Sequence, residues 1–303
     1  MKVVSECARE QALEQLRLIF HDRRVTPENV SILRFDDGIS NENFLIEFKD
    51  SCQKFAFRMI GPGGNSGMVD RMDEKYNNLV GCELGITPEV KYFNSKSGVK
   101  VARYVENAET LHNDTIKEVE NLVGIAAILR KLHTSRCRFH KDFNPFTELH
   151  RYEQLLENVD GVMYDGYNQY RDAVYGLEGE LNKMGVQVVP CHCDTLPENW
   201  LKEPSGKLWL LDWEYSGMND PFWDLTAPFI EASFTPEQEK TFLDAYFDGS
   251  VPHDAERRVL IYKIMMDFIW SVWARVKELD GADLREYGLM RLNRGIENVL
   301  KLL

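Results

Sequence analysis

Three oxygen-bearing side chains in the second half of the chain are spaced for phosphoryl transfer. They are Asp194, Asn199 and Asp212. The first two belong, with His192, to the pattern H-x-D-x-x-x-x-N, and Asp212 follows the apolar run LWLL. Moving a phosphoryl group requires a carboxylate that orients the attacking hydroxyl and accepts its proton, and oxygen ligands that hold Mg²⁺ against the triphosphate. The pattern therefore predicts Asp194 as the base, and Asn199 and Asp212 as the metal ligands. We expect His192 to hold the loop by hydrogen bonding.

The residues between Asn199 and Asp212 predict a hairpin that positions these groups. Pro204, Ser205 and Gly206 supply a turn between the segments WLKE and KLWLL. The alternative is that the H-x-D-x-x-x-x-N pattern is a chance loop, because the motif alone is a modest signal. A strand, a turn and a second acidic residue in the right place favour the phosphoryl-transfer interpretation.

The segments HCDTLPEN and LLDWEYSGMNDPFWDL resemble the choline/ethanolamine kinase family, and in particular its bacterial choline kinase branch. The resemblance covers most of the chain. It implies an α+β, two-lobed, protein-kinase-like fold, with a small antiparallel-sheet lobe in residues 1–104 and a large, mostly helical lobe in residues 105–303. It also implies ATP and Mg²⁺ as cofactors, and transfer of the γ-phosphate of ATP to the hydroxyl of choline.

The hydrophobic periodicity agrees with two lobes of different structure. Residues 5–20 have apolar spacing typical of a helix, with Ser5 as the cap. Five short alternating segments then predict an antiparallel sheet: SILRF, NFLIEF, QKFAFRMI, EVKYF and GVKVARYV. Beyond residue 113 the pattern is mostly helical, with helices predicted over residues 115–133, 152–159, 164–184 and 256–279.

The predicted nucleotide-binding residues lie in the first lobe. Arg58 occupies the strand position where the kinase fold usually has lysine, and Glu74 is its expected helix partner. The loop GISNEN, with Ser40 and Asn41, resembles the family's phosphate loop, and Tyr104 lies in the segment expected to meet the adenine. Without the resemblance, Arg58 and Glu74 would be interpreted as exposed surface charges.

The predicted substrate residues are mostly aromatic. Trp270 and Trp273 are three residues apart, so both indoles lie on one helix face, and Tyr287 follows. Aromatic faces suit a quaternary ammonium, which has no N–H to donate. Trp270, Trp273 and Tyr287 would form an aromatic cage around the substrate cation, and the resemblance adds Tyr215 and Glu231 to this cage. The alternative is that the two tryptophans are core residues.

Composition narrows the class of protein. The formal net charge of −13 disfavours nucleic-acid partners, no window is apolar enough for a membrane span, and Met1 to Phe20 carries acidic residues where a signal peptide would be apolar. We therefore expect a cytoplasmic protein with reduced cysteines, and the family resemblance implies a small-molecule substrate; the sequence leaves the oligomeric state open. The rival functions are a kinase for ethanolamine or another small alcohol, an aminoglycoside phosphotransferase, and a catalytically silent module that binds choline or nucleotide.

Overall fold

An antiparallel sheet organises the N-terminal part of the chain in this computed structural model, which describes residues 2–35, 41–61 and 69–302. Its strands are β1 (Lys2–Val3), β2 (Val30–Arg34), β3 (Asn41–Phe48), β4 (Gln53–Ile60), β5 (Val90–Phe93) and β6 (Lys100–Arg103). Their order across the sheet is β1-β2-β3-β4-β6-β5, with every neighbouring pair antiparallel. The sheet predicted from the five alternating segments is confirmed.

Two helices accompany this sheet. Helix α1 (Glu6–Ile19) begins where the Ser5 hydroxyl accepts a hydrogen bond from a backbone N–H of its first turn, and it buries Leu13 and Leu16 in the core formed by the sheet's aromatic residues. Helix α2 (Arg71–Glu83) begins at Asp70, whose carboxylate accepts hydrogen bonds from two backbone N–H groups of the first turn. Both caps satisfy amides that a helix leaves unpaired at its N-terminus.

A hairpin from later in the chain belongs to the same unit. Its strands β9 (Trp200–Lys202) and β10 (Leu208–Leu210) pair with Leu210 opposite Trp200, and β9 also pairs with β7 (Glu109–Thr110). The turn has Gly206 at φ 86°, a left-handed conformation that favours glycine. The first compact unit is therefore Met1–Thr110 together with Trp200–Tyr215. The lobe boundary at residue 104 stays a prediction.

The second unit, Leu111–Asn199 with Ser216–Leu303, is mostly helical. Its helices are α3 (Val119–His133), α4 (Pro145–Glu157), α5 (Tyr167–Met184), α6 (Pro221–Glu231), α7 (Pro236–Phe247), α8 (Ala255–Leu279) and α9 (Arg285–Leu302). Helix α8 packs against α4, α6 and α9 and buries Ile261, Ile264, Met265 and Ile269. Two short strands, β8 (Val189–Cys191) and β11 (Gly217–Asn219), pair antiparallel.

The predicted α+β class, with one sheet-rich part and one helical part, is confirmed. The differences concern helices: α6, α7 and α9 lie outside the predicted helical ranges. Helix α4 also starts before the predicted residue 152, because Asn144 caps it and Pro145 lies in its first turn. Within the described residues, none of the helices combines the length and the apolar character needed to cross a bilayer. The cytoplasmic location stays a prediction.

Candidate active site

The loop after β8 carries the predicted base. It ends in a short 3₁₀ helix, Pro197–Asn199, and the Asn199 amide nitrogen donates to the backbone oxygen of Asp194 at 2.8 Å and to its carboxylate Oδ2 at 2.9 Å. This pair of hydrogen bonds orients the half-buried Asp194 carboxylate. It also uses the amide nitrogen of Asn199, which leaves the amide oxygen as the atom suited to a cation.

Asp224, in the first turn of α6, holds the backbone of this loop. Its buried carboxylate accepts hydrogen bonds from the backbone N–H of His192 at 2.6 Å and of Cys193 at 2.7 Å. The Thr195 hydroxyl donates to the backbone oxygen of Asp224 at 2.7 Å. His192 is fully buried, and its backbone oxygen accepts a hydrogen bond from the Ser216 hydroxyl at 3.1 Å. The loop is therefore fixed through its main chain.

His133 extends this network into the core. One of its ring nitrogens lies 3.1 Å from Asp224 Oδ2 and the other lies 2.7 Å from the Tyr246 hydroxyl. His133, Asp224 and Cys191 each offer an atom of a metal-ligand type, and these three atoms lie within 4.8 Å of one another. Burial raises the pKa of the Cys191 thiol well above its usual value, and both His133 nitrogens are already engaged. The cluster is accordingly a hydrogen-bonded core network.

In the first unit, the predicted pair of Arg58 and Glu74 is formed and deeply buried. Arg58 Nη1 lies 2.6 Å from Glu74 Oε1, and Arg58 Nη2 donates to Glu74 Oε2 at 3.0 Å. Burial alone would raise the pKa of Glu74, but the charges of Arg58 and Lys100 outweigh it and lower the pKa. The alternative interpretation, that Arg58 and Glu74 are exposed surface charges, is therefore wrong.

Further charged groups surround the pair of Arg58 and Glu74, and among them the sequence singled out neither Lys100 nor Arg71. Lys100 Nζ lies 3.8 Å from Glu74, and Arg71 joins Glu74 at 2.6 Å to Glu214 at 3.0 Å. Burial, with the charge of Asp212, raises the pKa of Glu214 to about 7. One signal was available in the sequence: Arg71 and Glu74 are three residues apart on α2, where side chains meet.

Asp212 follows β10 with a left-handed backbone at φ 61°. Its Oδ1 lies 3.6 Å from Arg58 Nη1, and among the described residues this buried oxygen accepts no hydrogen bond. Buried acceptors are normally satisfied, and Mg²⁺ prefers hard oxygen ligands. The residues present therefore fit a magnesium ion at Asp212. Asn199, the other predicted ligand, belongs to the second unit, where it directly precedes the hairpin in sequence.

Of the other residues predicted to bind the nucleotide, Asn41 and Tyr104 are described in the structure. Asn41 is the first residue of β3 and is buried, with no hydrogen bond to its Oδ1 from the described residues. Ser40 lies outside the described residues. The Tyr104 ring stacks on Phe35, with centroids 6.3 Å apart and planes 18° apart.

The aromatic residues of the predicted cage lie together in the second unit. The ring centroids of Trp270 and Trp273 are 6.1 Å apart and those of Trp273 and Tyr287 are 6.4 Å apart, with nearly perpendicular planes. All three rings are only half-buried, unlike the aliphatic core residues of α8. The alternative that both tryptophans are core residues does not describe them. Glu231 forms an ion pair with Arg291, and Tyr215, half-buried, lies in the first unit after β10.

Comparison with known proteins decides the family. The model of the choline/ethanolamine kinase family matches residues 32–294. The chain belongs to the choline/ethanolamine kinase family. Protein LicA of Haemophilus influenzae strain Rd is 32% identical over 262 residues, which cover 84% of this chain and 96% of that protein.

Solved structures agree with this family assignment. The crystal structure of choline kinase LicA from Streptococcus pneumoniae superposes with a TM-score of 0.85 and 35% identity, covering 98% of this chain and all of that one. A structure of LicA in complex with AMP has a TM-score of 0.80 and 34% identity, covering 96% of this chain and 98% of that one. This member of the choline/ethanolamine kinase family is thus an ATP-dependent small-molecule kinase, as the sequence predicted.

Proposed function

We propose that the protein is a choline kinase, which transfers the γ-phosphate of ATP to the hydroxyl of choline to give phosphocholine and ADP. The observation that carries this proposal is the similarity to a choline kinase of known structure over nearly the whole chain. The aromatic trio Trp270, Trp273 and Tyr287 supports it, because perpendicular half-exposed rings suit a diffuse organic cation.

Asp194 is the proposed base. The choline oxygen forms a bond to the γ-phosphorus, the bond from that phosphorus to the bridging oxygen of ADP breaks, and the hydroxyl proton passes to the Asp194 carboxylate. The hydrogen bond from Asn199 supports this role, because it orients the carboxylate that would accept the proton. We assign His192 no proton transfer, because its side chain is fully buried. It acts as a brace for the loop.

Asn199 and Asp212 are the proposed ligands of Mg²⁺. When bound, the ion neutralises charge that develops on the phosphate oxygens. Asp212 supplies a carboxylate oxygen that accepts no hydrogen bond within the described part of the chain, and Asn199 supplies an amide oxygen. Arg58, held by Glu74, is the proposed phosphate-binding cation, and its planar fork suits phosphate oxygens. Ser40, Asn41 and Tyr104 are the proposed remaining nucleotide contacts.

Trp270, Trp273 and Tyr287, with Tyr215 and Glu231, are the proposed choline contacts. In this scheme the rings bind the trimethylammonium group through its spread charge. Glu231 lies in this set with its carboxylate already bonded to Arg291, so the rings supply the main attraction for the cation.

A magnesium-dependent assay with labelled ATP tests the function directly. Choline, ethanolamine and kanamycin are each offered as acceptor, and we expect labelled phosphocholine to form with the highest kcat/KM. A higher kcat/KM for ethanolamine or kanamycin would contradict the choline assignment, and the protein would then be a kinase for that other acceptor. Choline binding by calorimetry without ATP consumption would instead identify a silent binding module.

A further inference from the structure

A buried ion-pair network lies directly behind the aromatic trio. Arg291, on α9, is only 1% exposed, and its guanidinium carbon lies 5.0 Å from the centroid of the Tyr287 ring. One of its terminal nitrogens bonds Glu231 and the other lies 3.1 Å from Asp267 Oδ1. Arg294 bonds the same Asp267 with two nitrogens, at 2.7 and 2.8 Å. The network thus balances two carboxylates with two guanidinium groups.

Close packing of α9 on α8 makes this network possible. A Cβ at Gly295 would lie 3.0 Å from the Phe268 ring and 3.2 Å from Asp267 Cβ. Any larger side chain there would therefore separate the two helices at the level of Asp267. Arg291 is one helical turn before Gly295 and lies on the same face. The fold places a cation at this point and holds it against a fully buried carboxylate.

The consequence concerns which ammonium group the trio can accept. A primary ammonium carries N–H groups that need acceptors once water is removed, whereas a quaternary ammonium needs only aromatic faces. Arg291 takes an oxygen of Glu231, the carboxylate assigned to this site, and so competes with any N–H donor of the substrate. Its charge also cancels that of Glu231, so the aromatic faces become the main attraction for a cation.

We propose that Arg291 is a specificity-determining residue, which favours a quaternary ammonium alcohol over a primary amine alcohol by sequestering Glu231. This proposal rests on the proposed choline kinase function. If the wild-type protein phosphorylates neither choline nor ethanolamine, the function fails. If the wild type is active but its selectivity does not depend on Arg291, only the present proposal fails.

The test compares four proteins by the ratio of kcat/KM for choline to kcat/KM for ethanolamine. Arg291→Met retains the length of the side chain but releases Glu231, and we expect the ratio to fall by about tenfold, equivalent to about 1.4 kcal/mol. Glu231→Gln leaves excess positive charge behind Tyr287. This charge weakens the binding of choline and of ethanolamine alike, so the ratio should change by less than about twofold. The double variant Arg291→Met with Glu231→Gln restores neutrality and should return the ratio to near the wild-type value.

Arg294→Met is the matched control, because Arg294 bonds the same Asp267 without contacting Glu231 in the described structure. We expect its ratio to equal that of the wild type. An unchanged ratio in Arg291→Met, or an equal fall in Arg294→Met, would overturn the proposal. So would a choline-selective loss in Glu231→Gln, because Glu231 would then act on choline directly.

Arg291→Lys covers the case in which Arg291→Met does not fold. A single ammonium keeps the charge but cannot grip two carboxylates with a planar fork. The ratio should then fall by about threefold, less than with methionine, because the hold on Glu231 is weakened rather than lost. A wild-type ratio in folded Arg291→Lys, together with a selective loss in Glu231→Gln, would refute the proposal.

Discussion

Asp224→Asn tests how the catalytic loop is positioned. The carboxylate accepts two short hydrogen bonds from consecutive backbone N–H groups, those of His192 and Cys193. An asparagine of the same shape offers one oxygen, so its NH₂ group must face one of these donors. The substitution therefore converts a charge-assisted hydrogen bond into a contact between two donors. It also removes the negative charge 3.1 Å from the His133 ring.

The magnitude follows from these contacts. A hydrogen bond to a charged group contributes about 1.5–3 kcal/mol, and a buried donor without a partner costs about 1–3 kcal/mol. We expect Asp224→Asn to lower the free energy of unfolding by about 2–5 kcal/mol, which a domain of ordinary stability can survive. A displacement of about 1 Å in a catalytic group reduces the rate by about 10²-fold, so kcat should fall by about that factor. The KM for ATP should change little.

Urea unfolding gives the stability difference, and steady-state kinetics under conditions where both proteins are folded give kcat. Asp172→Asn is the matched control, since its side chain is 98% exposed and belongs to α5. The reasoning would be refuted if Asp224→Asn matched this control in both measurements. A stability loss with unchanged kcat would show that Asp224 supports the core and not the loop.

Three further predictions concern the base, the cage and the pH dependence of stability. Asp194→Asn should lower kcat by about 10²–10⁴-fold with little change in ATP affinity, as seen by kinetics and calorimetry. Trp273→Ala should raise the KM for choline more than that for ATP; an equal rise would indicate core damage. Glu153 accepts hydrogen bonds from Tyr167, Arg171 and Tyr175. Burial would raise the pKa of Glu153, but these partners outweigh it and lower the pKa below 4.5. Its stabilisation is thus present above that pH and is lost as the pH falls through the lowered pKa, so Glu153→Gln should cost about 2–4 kcal/mol at neutral pH and little in acid.

The sequence predicted the elements whose signals are local. Strands β2 to β6 have alternating or compact apolar patterns bounded by turns, and the Pro204–Gly206 turn lies where expected. Three helix starts were missed although each has a cap followed by proline: Asn144 before Pro145, Asp220 before Pro221 and Thr235 before Pro236. This signal is also local, and the pattern of an N-cap with proline at the first helical position could have found all three.

What the sequence could not predict are contacts between residues far apart in the chain. Asp224 is 32 positions from His192, and nothing in its own neighbourhood indicates that it bonds that residue's backbone. Arg291 is 60 positions from Glu231, so the carboxylate expected to face a substrate cation gave no sign of its partner. Resemblance to the family predicted Glu231 as a substrate residue, whereas its ion pair with Arg291 depends on the packing of α9 against α8.

A left-handed backbone conformation occurs at or directly before each of the two carboxylates predicted to act in phosphoryl transfer. Asp194 follows Cys193 at φ 65°, and Asp212 itself has φ 61°, both conformations that non-glycine residues rarely adopt. Such a backbone costs about 1–3 kcal/mol and persists only where neighbours determine it. At Cys193 the neighbours are known: its N–H bonds Asp224 at 2.7 Å and its backbone oxygen accepts from the Trp223 indole at 3.1 Å. Both bonds come from α6, so the left-handed turn that presents Asp194 depends on the first turn of that helix. We therefore expect substitutions in the first turn of α6 to affect the orientation of the Asp194 carboxylate as well as local stability.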